Sequence, residues 1–138
     1  MKKKVIVSGL AAGMVLSILS YGGLFLAVNS KLFNAFFTGY LSNVFISDGK
    51  RDAFFYSHAL LISLALAWFW ERCKKVFHGH FILRGIEFGA AYTLAGLLPI
   101  LWMTYSQIDV SELMVLSWLF FGLFQSCVAG IIFAKMNH

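Results

Sequence analysis

The sequence predicts an all-α fold: a bundle of four transmembrane helices with an amphipathic surface helix between the first and second. Composition gives the first indication. Of the 138 residues, 60% are hydrophobic and 12% charged, where a soluble domain is nearer half apolar and a quarter charged. A soluble chain this short has too little interior to hide so much apolar surface, so the solvent it expects is lipid. The second indication is four long apolar stretches. The third is the placement of the basic residues, which cluster beside those stretches.

A helix rising about 1.5 Å per residue needs roughly 20 apolar residues to cross a hydrocarbon core of about 30 Å. Four segments qualify: Val5 to Val28, Ala53 to Trp70, Gly85 to Ser106 and Leu113 to Ala134. They make one transmembrane domain over residues 1–138. In lipid every backbone N–H and C=O must be satisfied within the segment, which makes these spans helical. The start of the chain has the basic n-region and small residues of a signal peptide. Its apolar run of 24 residues exceeds the roughly 7–15 of a signal h-region, which favours an uncleaved anchor.

The net charge of +5 reads as membrane orientation and excludes nucleic acid as the expected partner. Lys2, Lys3, Lys4, Arg72, Lys74, Lys75, Arg84 and Lys135 fall on one side, and Lys31, Lys50 and Arg51 on the other. The richer side is expected to be cytoplasmic, with both termini on it. Trp68 and Trp70 at one end of span two, and Trp102 and Tyr105 at the opposite end of span three, suit headgroup-level belts. Pro99 is expected to kink span three. Between spans one and two, Phe33, Phe36, Phe37, Tyr40, Leu41, Val44 and Phe45 recur at helical spacing. Residues 30–45 therefore read as an amphipathic helix that either lies on the membrane surface or caps the bundle.

Lipid tails are as apolar as leucine, so membrane helices associate through small residues and hydrogen bonds. Each span has a small-residue row: Gly9, Gly13, Ser17 and Ser20; Ala59, Ser63 and Ala67; Gly85, Gly89, Thr93 and Gly96; Gly122, Ser126, Gly130 and Ala134. The rows of spans one and three share a spacing at an offset of 76 residues. That match predicts that the two spans face each other, and it hints at a repeat of two hairpins.

Polar residues at membrane depth are functional suspects. Ser17, Tyr21, His58, Tyr92 and Gln125 form the candidate ligand set, with interhelical bonding as the alternative role. Arg84 and Glu87, three apart on one helix face, read as a charge pair; Glu71 and Lys75 read as a second. His78, Gly79 and His80, with Cys73 and His138, match no zinc spacing, and the sequence implies no metal and no cofactor. No catalytic grouping is visible.

Ser20-Tyr21-Gly22-Gly23-Leu24-Phe25 at the end of span one, and Trp118 to Ala134 with Gly122, Gln125 and Gly130, resemble small bacterial four-span membrane proteins in families of unknown function. That resemblance covers about a quarter of the chain and implies a bacterial inner-membrane location. The small multidrug transporters of four helices are similar in length but place a glutamate within the first span, where this chain has none. Four-span glutathione-using membrane enzymes are similar around Glu71-Arg72, without the Arg- and Asn-rich pattern that follows. The leading expectation is a non-enzymatic membrane component, homo-oligomeric or accessory to a larger complex. A small transporter is the second, and an enzyme acting on a lipid or quinone the third.

Overall fold

The computed structural model describes residues 2–29 and 49–137. All of its regular structure is helical, with no strand among the described residues. The expected amphipathic segment 30–45 lies outside the described residues.

Helix α1 runs over Lys2–Asn29 (28 residues). It covers the whole uncharged run and ends at Asn29, whose side-chain amide donates back to the Phe25 carbonyl at 2.8 Å. Helix α2, Gly49–Cys73 (25 residues), returns antiparallel to it. The chain then turns through Gly79, whose φ of +101° is a conformation that only glycine adopts without cost.

The third apolar stretch is one long helix in three parts. Helix α3 covers Phe81–Tyr92, a π-helical turn covers Thr93–Leu97, and helix α4 covers Leu98–Gln107. Proline has no N–H and its ring presses on the preceding turn. The chain places the wider π turn just before Pro99 and leaves the proline in the first turn of α4. The expected disturbance of span three is thus a π turn at 93–97. Ser111 caps the last helix, its hydroxyl accepting from the Met114 N–H at 3.3 Å. Helix α5 is Glu112–Met136 (25 residues).

Three segments, Lys3–Gly23, Phe81–Gln107 and Glu112–Met136, are long and apolar enough to cross a membrane. Their outward faces suit lipid: Ile18, Leu94, Trp102, Met103 and Phe120 each expose well over half of their surface.

The core explains how the helices meet. Trp70, Phe88 and Phe133 are fully buried, one each from α2, α3 and α5. Trp70 and Phe88 meet edge-on at 5.3 Å and Phe88 and Phe133 at 6.2 Å, the geometry that aromatic quadrupoles favour. Ala12 and Leu16 of α1, Ala59, Leu66 and Ala67 of α2, and Ala129 and Ala134 of α5 complete the cluster. Trp70 is therefore a core residue. Trp68, two residues earlier, is 56% exposed and has the Arg72 guanidinium 4.4 Å above its ring.

The small-residue rows pair differently from expectation. Those of spans one and three do not face each other. A methyl group at Gly9 would sit 2.9 Å from Leu64 Cδ2, and at Gly13 2.6 Å from Ser63 Oγ, both on α2. At Gly85 it would collide with the backbone of Ile131, and at Gly89 it would sit 2.5 Å from the Cys127 nitrogen, both on α5. Each of these two rows meets the next long helix in sequence, as consecutive elements usually neighbour one another. The shared spacing serves the same purpose twice, once in each hairpin.

Candidate functional site

Two polar arrangements stand out. The first is a seam of hydroxyls and one amide inside the bundle. Gln125 Nε2 on α5 donates to Ser20 Oγ on α1 at 2.8 Å. At the next residue of α5, Ser126 Oγ lies 3.2 Å from Thr93 Oγ1 and 3.2 Å from the Gly89 carbonyl, which it can reach because glycine lets the two backbones close up. Thr93 and Ser126 are buried. Burying such groups without partners costs about 1–3 kcal/mol each, so their mutual bonding is what makes the seam tolerable in lipid.

The candidate ligand residues divide along this seam. Gln125 belongs to it, through Ser20 and not through Ser17. Ser17 and Tyr92 are half-buried, while Tyr21 and His58 have exposed side chains. An apolar cleft of about 220 Å³ opens between α4 and α5, floored by Leu101 and flanked by Leu98, Leu116 and Leu119. None of the five candidate residues lines it.

The second arrangement closes the Trp70 end of the bundle. Trp70 Nε1 donates to the Asn137 backbone carbonyl at 2.9 Å. The Asn137 side chain donates through Nδ2 to Glu71 Oε2 at 2.6 Å and accepts through Oδ1 from Lys74 Nζ at 3.2 Å. Lys74 and Glu71 also pair directly at 3.2 Å, so the Glu71 partner is Lys74 and not the expected Lys75. The Asn137 amide and the Lys74 ammonium hold the Glu71 carboxyl below the usual carboxylate range.

Arg84 joins the same knot. Its Nη2 donates to the Lys74 carbonyl at 3.1 Å, and its guanidinium lies 5.3 Å from the Trp70 ring. The expected Arg84–Glu87 pair is therefore replaced: Arg84 reaches across to the end of α2, and Glu87 faces outward. A guanidinium that can donate to a carbonyl and rest on an indole at once gains more there than from a solvated carboxylate on its own helix.

Sequence reasoning missed Asn137. A single asparagine just past an apolar span carries no periodic signal, and its partners lie 66 and 67 residues away. Among the described residues no three His, Cys, Asp or Glu side chains come together as metal ligands, and His78 and His80 are exposed. No family model, no curated protein and no solved structure matches this chain.

Proposed function

We propose that this chain is a four-span protein of the bacterial inner membrane, with α2 as the fourth crossing and both termini cytoplasmic, that acts by packing as a homo-oligomeric or accessory component of a membrane assembly. One observation carries the reading: two sets of polar groups at membrane depth bond across helices. Gln125 is taken by Ser20, and Thr93 by Ser126, which also reaches the Gly89 carbonyl. Such bonds join helices; they do not present groups to a passing solute. Meanwhile Ile6, Leu10, Met14, Phe120 and Phe124 point outward, leaving faces that lipid or a second protein can cover.

Purification in a mild detergent followed by mass measurement tests this. A defined oligomer or a stoichiometric partner is the expected result, and a strictly monomeric, partnerless species sinks the reading. Reporter fusions at Gly49 and after Met136 test the topology and should report opposite sides. A periplasmic signal at the C-terminal fusion would overturn the four-span arrangement.

A small transporter is the second reading, and the π turn at Thr93–Leu97 favours it. Such turns are often placed where a helix has a working role, and Tyr92 stands beside this one. Uptake by reconstituted vesicles that Tyr92→Phe abolishes would bring that reading forward.

A further inference from the structure

The long helix Phe81–Gln107 and helix α5 are packed unevenly along their length. Over the first half they touch backbone to backbone, at Gly85 against Ile131 and Gly89 against Cys127. Past the π turn the glycines run out on the α4 side. Leu97 fills the space at Gly122, and beyond it the helices leave the cleft of about 220 Å³ between Leu98, Leu101, Trp102, Val115, Leu116 and Leu119. Tyr105 and Glu112 line the end of the cleft nearest the α4–α5 turn.

We propose that this cleft is a lipid site that takes one acyl chain of a phospholipid with an ammonium headgroup, the chain lying along Leu101 and the ammonium meeting Glu112 beside the Tyr105 hydroxyl. The shape selects the occupant. From Leu98 to Tyr105 the helix rises roughly 10 Å. A partner helix of that length, about 10 Å across, would displace several times 220 Å³. A hydrocarbon chain is thinner and fits. The depth agrees, because the wall is formed by Leu98, Leu101, Trp102, Val115, Leu116 and Leu119 and gains its polar groups, Tyr105 and Glu112, only where the helices end. Trp102 beside the cleft is 75% exposed, at the level where an indole bridges tail and headgroup.

The charge selects the headgroup. Among the described residues, Glu112 is the one charged residue lining the cleft. It is exposed, and among the described residues no cation lines the cleft beside it. A carboxylate there repels the net charge of phosphatidylglycerol and attracts the ammonium of phosphatidylethanolamine.

Native mass spectrometry of the full chain, released from bilayers of equal phosphatidylethanolamine and phosphatidylglycerol, tests the site. The expected result is one retained lipid, with phosphatidylethanolamine favoured about threefold, the size of an exposed ion pair. Glu112→Gln should bring the two lipids to parity, while Asp109→Asn, outside the cleft, should leave the preference intact. Leu116→Trp should fill the cleft and remove both lipids, with circular dichroism checking that the helices persist. If that variant does not fold, Glu112→Gln decides alone. Parity in the natural chain, a preference unmoved by Glu112→Gln, or retention unmoved in folded Leu116→Trp would each overturn the proposal.

Discussion

The indole of Trp70 donates to the backbone carbonyl of Asn137 at 2.9 Å, and both residues are buried. This bond fastens the end of α5 to the end of α2, across 67 residues of sequence. Trp70→Phe keeps most of the ring and removes the donor, leaving a buried carbonyl without a partner. It should cost about 1–3 kcal/mol. Trp70→Ala also empties a core position and should cost about 3–5 kcal/mol. Thermal unfolding in detergent gives the order: if the two variants melt alike, the bond contributes little and packing dominates.

The glycines should rank by what a new methyl group meets. At Gly85 and Gly130 it meets the backbone of the facing helix, which cannot give way without separating the helices. At Gly9 it meets first the far end of the Leu64 side chain, which can turn aside. Gly85→Ala and Gly130→Ala should therefore destabilise more than Gly9→Ala. At Gly22 nothing lies within 4 Å, and alanine there should raise stability by about 0.5–1 kcal/mol through helix propensity. Melting temperatures of the four variants check this ranking, and a Gly9→Ala loss as large as Gly85→Ala would refute it.

Gln125 and Ser20 join helices 105 residues apart in sequence. A double-mutant cycle with Gln125→Leu and Ser20→Ala should give a coupling near 0.6 kcal/mol, the average for interhelical bonds in membranes, and no more than about 1.7 kcal/mol. Additive losses would mean that the two side chains do not act together.

The Glu71 carboxyl is held below its usual range, first by the Asn137 amide and then by Lys74. A depressed carboxylate contributes stability that is fully present above the unfolded value, about 4.3, and is lost as pH falls through the lower folded value. Melting temperature should therefore fall as the pH is taken from 5 towards 3, over about that range. Glu71→Gln should flatten this part of the profile, since the amide cannot titrate. An unchanged slope in that variant would assign the acid sensitivity to another group.

Several features of this protein follow from local sequence alone. The uncharged runs become helices because lipid offers no partner for an open backbone. The rows at Gly9 and Gly13, and at Gly85 and Gly89, become close helix contacts because nothing else lets two backbones approach. Ser111 caps α5 through a bond three residues long, a range that a sequence reading covers. Tertiary structure decided which surfaces these rows meet. Spacing repeats identically on any partner, so the likeness between spans one and three could not distinguish facing each other from facing α2 and α5. It also decided that Trp70 is core while Trp68, two residues earlier, points outward, since a helix turns about 100° per residue and only the neighbours fix which face is inside. Above all it decided the knot at Asn137. Its bonds to Trp70, Glu71 and Lys74 span 63 to 67 residues, and contacts between residues so far apart exist only once the helices have chosen their places.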